Sequence, residues 1–266
     1  MITDLEVRGY RSFEHAHAPL GLVTLVTGDT GSGKTGLLDA LGFLATCALG
    51  GLAAAVEERG GFAAVAHRGA RGPVRRAGIT VTFTLPEGTT GSYGFVVAPL
   101  PDERIGVLLE RCVLEEPDGR TLRFDRLGEV PTAQGFLVPE IEAERDQLSI
   151  THMGNLPPVE GLHQLLAGFT LLPPQVGPPD GSRAVANGDA PEAVSVLAVD
   201  EPEATFGDDG WNIVSGLLVR PGARPQVLLA SRQPPAVTVL PLAETRHLAL
   251  SINGGTTSVE DRGPLR

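Results

Sequence analysis

The sequence all but lacks lysine. Of its 21 Lys and Arg side chains only Lys34 is a lysine, and the rest are arginines. It also lacks a broad excess of positive charge. The formal net charge is −11, which argues against a surface built to wrap nucleic acid while leaving room for a local basic groove. Cysteine is scarce. Cys47 and Cys112 are far apart, so neither a disulfide framework nor a metal-ligand spacing follows, and a reducing, cytoplasmic setting is expected. Aromatic residues make up only 5%. The first residues, Met1 to Glu6, lack the basic and apolar blocks of a signal peptide. The nearest approach to a membrane span, Leu37 to Val56, carries Asp39 and reads as a buried helix. There is no internal repeat, no heptad run and no Gly-x-Ser-x-Gly elbow. His152 and His163 have no ligand partners nearby in sequence and read as surface or packing residues.

What is present starts with size. A chain of 266 residues can bury one large core, or one core and a smaller subdomain. Glycine (34) and proline (22) are frequent enough to imply many turns. Residues 28–35, Gly-Asp-Thr-Gly-Ser-Gly-Lys-Thr, match G-x-x-x-x-G-K-[ST] at every fixed position. A strand-like run, Val23–Thr27, enters this loop, and a helix-like run from Gly36 leaves it. In such a loop the glycines let backbone N–H groups turn toward phosphates, and the helix N-terminus adds its positive end. Nucleotide contacts are therefore expected from Gly28, Asp29, Thr30, Gly31, Ser32, Gly33, Lys34 and Thr35. Lys34 should reach the β- and γ-phosphates, and the Thr35 hydroxyl should hold Mg²⁺. A compact ammonium suits that position better than a guanidinium, and the one lysine of the sequence stands there.

A second motif lies far downstream. Val194–Val199 is an almost continuous apolar run, the pattern of a parallel strand covered on both faces. It ends in Asp200-Glu201. An aspartate at a strand end can hold Mg²⁺, and a glutamate beside it can deprotonate an attacking water. Asp200 is thus the second metal candidate and Glu201 the catalytic one.

Between the motifs the chain changes character. Residues 66–77 gather His67, Arg68, Arg71, Arg75 and Arg76, read as a solvated loop or a phosphate-contacting patch. Residues 79–85 alternate strictly, and strand-like runs follow at 92–99, 106–115 and 120–126. This is an antiparallel meander, expected to form a separate layer. A short amphipathic helix follows from Val159, then a Pro- and Gly-rich loop at 172–192. Strands are expected at 226–230 and 238–240, a helix at about 208–218, and a hairpin around Asn253-Gly254-Gly255. The predicted fold class is α/β: a P-loop NTPase sheet with flanking helices plus an antiparallel β-rich insertion. The predicted division is residues 1–75 and 190–266 as the nucleotide-binding core, with 76–189 as an inserted meander and helical piece.

The opening Leu5-Glu6-Val7-Arg8-Gly9-Tyr10-Arg11-Ser12-Phe13, the loop at 28–35, the stretch Val196–Glu203 and the strand Gln226–Ser231 together resemble RecF, SMC and related ABC-type ATPases. Within that group the chain is most similar to compact, coiled-coil-free AAA-type ATPases close to the OLD family. The matching blocks lie at the two ends of the chain. The resemblance implies ATP and Mg²⁺ as cofactors, Arg11 approaching the nucleotide, Asp200 as the Walker B aspartate, Glu201 as the catalytic glutamate and residues 204–208 as the D-loop. It implies a homodimer whose heads close over ATP, each completing the other's site through a signature loop. It also implies an effector or nuclease partner, with DNA contact that the −11 charge argues against. No membrane association is implied. The signature candidates are Gly181 and Ser182, where Pro179 stands in place of the usual serine. Arg232 occupies the position of the switch histidine. Gln134 and Gln147 are the Q-loop candidates. Two further readings remain open on the residues alone: an ATP-binding switch with little hydrolysis, and a small-molecule kinase.

Overall fold

The strand-like stretches at 2–8 and 23–27 enter two different sheets. A computed structural model describes residues 1–69, 72–102, 104–128, 130–135, 144–173, 194–206, 210–218, 224–235, 240–241 and 244–265. Strands β1 (Ile2–Tyr10), β2 (Phe13–Pro19) and β3 (Val23–Thr27) precede helices α1 (Lys34–Gly50), α2 (Leu52–Glu58) and α3 (Phe62–Val65). Two short strands follow, β4 (Arg68–Gly69) and β5 (Gly72–Pro73). Then come β6 (Ala77–Thr84), β7 (Thr90–Pro99), β8 (Ile105–Glu115), β9 (Thr121–Leu127) and β10 (Val130–Gln134). The remainder is α4 (Ile150–Met153), α5 (Pro157–Ala167), β11 (Phe169–Leu172), β12 (Val196–Asp200), α6 (Pro202–Phe206), α7 (Gly210–Leu218), β13 (Gln226–Ser231), β14 (Thr245–Asn253) and β15 (Thr256–Pro264).

One sheet runs β10-β9-β8-β7-β6-β1-β2 and is antiparallel throughout. The other runs β11-β12-β13-β3-β14-β15 and is parallel except for its last pair. Burial follows the two sequence patterns. Every residue of β12 and β13 is buried. Val196, Ala198, Leu228 and Ala230 share an apolar cluster with α1, while Leu197, Val199, Val227 and Leu229 share another with Val214 and Leu218 of α7. Covering both faces is what requires near-continuous apolar strands. In the antiparallel sheet, β9 alternates buried and open positions instead.

Helix α1 is buried on almost every side, so its composition of Leu, Ala, Gly and Phe is that of a core helix. It meets both sheets. Phe43 sits 5.4 Å from the Tyr10 ring and 6.1 Å from the Phe95 ring of the antiparallel layer, in tilted and edge-on arrangements that aromatic pairs favour. On its other side lie Ala198, Leu228 and Ala230 of the parallel sheet. A buried amide also joins the layers. Gln226 donates from Nε2 to the carbonyls of Ile2 (2.6 Å) and Gly21 (2.9 Å) and accepts the Ile2 N–H at 2.8 Å.

The expected meander is present and larger than its sequence pattern suggested, because β1 and β2 extend the same sheet. The turn between β1 and β2 is Arg11-Ser12. Three strands, β2, β10 and β11, carry too weak an alternation to be read from sequence. Of the short strand expected at 238–240, residues 238–239 lie outside the described residues. Among the described residues, no helix is long and apolar enough to cross a membrane.

Candidate functional site

The loop at 28–35 leaves the carboxyl end of β3, whose residues are all buried. Two of its glycines are dictated by crowding and backbone shape. A Cβ on Gly28 would lie 2.4 Å from the Leu250 carbonyl oxygen of β14. Gly33 has φ of +100°, and a Cβ there would lie 2.6 Å from Thr257 Oγ1. Helix α1 then opens at Lys34 without a side-chain cap, leaving its first N–H groups aimed into the loop. Thr30, Gly31, Gly33, Lys34, Thr35 and Gly36 line a cleft of about 290 Å³, together with Arg11, Ser12 and Glu201.

Lys34 is buried at the base of this cleft. Its Nζ donates to the carbonyls of Gly28 (2.7 Å) and Asp29 (2.9 Å). Burial lowers its pKa, against the opposing pull of Glu201 and Asp200. The Thr35 hydroxyl donates to Asp200 Oδ2 at 2.5 Å across 165 residues of sequence. Sheet order makes this possible. Asp200 is in register with Ala230 of β13, and Ala230 with Val26 of β3, so the end of β12 comes level with the loop.

The Asp200 carboxyl is buried, and burial raises its pKa; the Thr35 bond and Lys34 oppose this while Glu201 adds to it. Its Oδ1 has no hydrogen-bond partner. A hydroxyl and a carboxylate with a spare buried oxygen form a donor set for a small hard cation shared with phosphate oxygens. Among the described residues, no three His, Cys, Asp or Glu side chains cluster as a self-contained metal cage. The pair therefore fits magnesium that arrives with a nucleotide.

Glu201 and Arg11 share a property that no sequence pattern reveals. Among the described residues, they are the non-glycine positions with positive φ, +49° for Glu201 and +47° for Arg11. Such backbones cost about 1–3 kcal/mol and persist where surrounding bonds over-determine them. The Glu201 N–H donates to Ala230 O at 2.8 Å, and its carbonyl accepts from Ala204 (2.8 Å) and Thr205 (2.9 Å), opening α6. The Arg11 N–H donates to Val65 O at 2.7 Å. Both turned residues line the phosphate cleft.

Arg232 is largely exposed, and its Nε lies 3.7 Å from Glu201 Oε1. The two residues border a neighbouring cleft of about 610 Å³ that also takes in Glu203, Trp211 and Gln233. Gly181 and Ser182 lie outside the described residues. Gln134 and Gln147 do not line the phosphate cleft; the Gln147 side chain sits 2.9 Å from His152 Nε2. The basic stretch after residue 66 is not simply a solvated loop. His67 is buried, with Nδ1 2.8 Å from the Arg11 carbonyl oxygen.

Several site residues were not anticipated. Thr257 of β15 reaches the loop: its N–H donates to the Ser12 carbonyl (2.7 Å), and its hydroxyl donates to the Ser32 carbonyl (3.0 Å) and lies 2.8 Å from Ser12 Oγ. Asp39 on α1 meets Arg11 at 2.8 Å and Arg59 at 3.0 Å. Only the presence of a single acid within a largely apolar helix hinted at Asp39.

No family model matches the sequence, and no curated protein matches it. In fold the chain is similar to the SmcHead bound to the C-winged helix domain of ScpA, with a TM-score of 0.53, 12% identity and 98% of both chains covered. It is also similar to the Smc head domain with an extended coiled coil bound to the C-terminal domain of ScpA derived from Pyrococcus furiosus. There the TM-score is 0.52 at 10% identity, over 98% of this chain and 96% of that one. The likeness is one of fold, the mixed α/β architecture of an SMC head domain.

Proposed function

We propose that this chain is an Mg-ATP-binding P-loop ATPase head of the RecF/SMC/ABC type. The observation that carries the reading is the 2.5 Å bond from Thr35 to Asp200, which joins the phosphate loop to the acidic strand end. Residues 28–35 cradle the phosphates, and Lys34 exchanges its two loop carbonyls for phosphate oxygens. Thr35 and Asp200 hold the magnesium, which when bound neutralises phosphate charge. Glu201, facing the same cleft, takes the proton of the attacking water. Arg11 supplies a second cation to the nucleotide.

Head-to-head dimerisation through the ATP site, with Gly181 and Ser182 completing the partner's site, belongs to this proposal. So do a cytoplasmic location, kinship with the OLD family and a protein effector. The solved heads it resembles are bound to domains of ScpA, and that likeness favours a protein partner over DNA for a chain of net charge −11. The test is a turnover assay with Mg-ATP beside a nucleotide-binding assay. Lys34→Ala loses binding, and Glu201→Gln binds ATP without turning it over. Binding unchanged in Lys34→Ala would show that the site is misplaced.

A second reading is favoured by one contact. Arg232 lies at Glu201 on the open side of the cleft, so the chain acts as an ATP-binding switch if that arginine holds the glutamate away from water. Purified protein with no Glu201-dependent turnover, yet tight ATP binding, selects this reading.

A further inference from the structure

Asp39 is the one acidic residue of α1, one turn beyond Thr35. Its two oxygens are divided. Oδ1 accepts from Arg59 Nε at 3.0 Å. Oδ2 accepts from the Tyr10 hydroxyl and pairs with Arg11 at 2.8 Å. One carboxylate therefore serves two guanidinium groups, and these are held very differently. Arg59 is about 10% exposed, donates to the Ala55 carbonyl and Glu58, and stacks 5.2 Å from the Phe43 ring centre. Arg11 lies farther from its ring, 5.9 Å from the Tyr10 centre, and is 35% exposed; its only ion pair among the described residues is the one to Asp39, and its buried Nε has no hydrogen-bond partner.

Arg11 also stands at a junction. It lines the phosphate cleft with Lys34 and Thr35, and it lines a second cleft of about 650 Å³ whose wall includes Asp39 and Arg59. If Arg11 leaves, Asp39 keeps Arg59 and Tyr10, so no carboxylate is stranded in the core. Removing Arg59 would instead leave Arg11 as the sole counterion.

From this asymmetry we infer that Asp39 is a positioning residue that holds Arg11 in reserve beside the phosphate cleft, and that Arg59 and Tyr10 set how firmly it does so by sharing the same carboxylate. The inference rests on the reading of residues 28–35 as a nucleotide site. Its content is a competition: Arg11 can serve Asp39 or a nucleotide phosphate, and the fixed partners of Asp39 tilt the balance toward phosphate.

Competition predicts opposite signs from neighbouring changes. Asp39→Asn removes the charge that holds Arg11 and tightens ATP binding about fivefold. Tyr10→Phe and Arg59→Gln leave Asp39 more dependent on Arg11 and weaken ATP binding by a similar factor. All three effects vanish when Arg11→Ala is also present. The measurement is equilibrium binding of ATP to the full chain, with thermal melting of each variant to confirm folding. Tyr10→Phe keeps the test open if Asp39→Asn does not fold, because it removes only a hydroxyl. Weaker binding in all three single variants, or effects that persist in the Arg11→Ala background, would mark the cluster as structural and overturn the inference. Lys34→Ala keeps the two questions apart: its loss of binding beside a flat Asp39 series overturns this inference alone, whereas unaltered binding in Lys34→Ala overturns the nucleotide site and this inference with it.

Discussion

The two sides of the phosphate cleft are built by opposite means. On one side stand Lys34, Thr35 and Asp200, anchored on α1 and on strands buried on both faces, with bonds of 2.5–2.9 Å between them and the loop. On the other stands Glu201, which lies 3.7 Å from Arg232 of the neighbouring cleft, an arginine that is 66% exposed. The first side is preorganised, and its geometry needs no partner. The second is open, and an exposed ion pair at that distance holds its members only loosely. Under the proposed function, binding would fall to the rigid wall and chemistry to the adjustable one. The head-to-head closure proposed above would act on the adjustable wall.

Four substitutions would break or sharpen the contrast. The largest effect belongs to Glu201→Gln: turnover falls by about 10²–10⁴-fold while ATP affinity stays within about twofold, read by phosphate release and by equilibrium binding. Lost affinity there would mean that Glu201 belongs to the rigid wall. Next is Lys34→Ala, with ATP binding weaker by about 100-fold in calorimetry.

Asp200→Asn comes third and acts in two directions. The raised carboxyl pKa of Asp200 means that the folded state holds its proton more tightly than the unfolded chain does. Stability from this group is therefore greatest below the unfolded-state pKa, falls as pH rises through the raised folded-state value, and stays lowered at neutral pH. Asparagine removes that cost and can still accept the Thr35 bond. The nucleotide-free variant should melt higher than wild type at neutral pH and lose the extra stabilisation that Mg-ATP confers. A lower melting point without ligand would count against the buried charge as a cost. The smallest effect is Arg232→Ala. Stability changes by less than about 0.5 kcal/mol, and turnover rises roughly twofold as Glu201 is released. A fall in turnover would instead assign Arg232 to the reaction.

Legibility from sequence followed the same division. The rigid wall was readable because each part has a local signature: a glycine-lysine loop after an apolar strand, and an acidic pair closing a continuous apolar run. Strands buried on both faces announce themselves by composition. The Thr35–Asp200 partnership was readable only as two motifs, since their contact depends on β13 lying between β12 and β3. Thr257 was not readable at all. It sits in a polar, mostly exposed edge strand, and its contacts with the loop come from where the hairpin docks. The turned backbones of Arg11 and Glu201 were equally silent, because arginine and glutamate carry no preference for positive φ and are held there by their neighbours. The antiparallel sheet was underestimated at β2 and β10, whose residues alternate too irregularly to stand out.

The burial of Lys34 has a chemical consequence of its own. A chain with one lysine has one side-chain amine, and here that amine is tied to the carbonyls of Gly28 and Asp29 inside the loop. An acylating reagent therefore finds no inert surface lysine to label, and any lysine adduct is an adduct at the phosphate seat. The rate of such labelling rises with the fraction of molecules whose loop is open, and a nucleotide that fills the loop, as proposed, would be read as protection of a single residue.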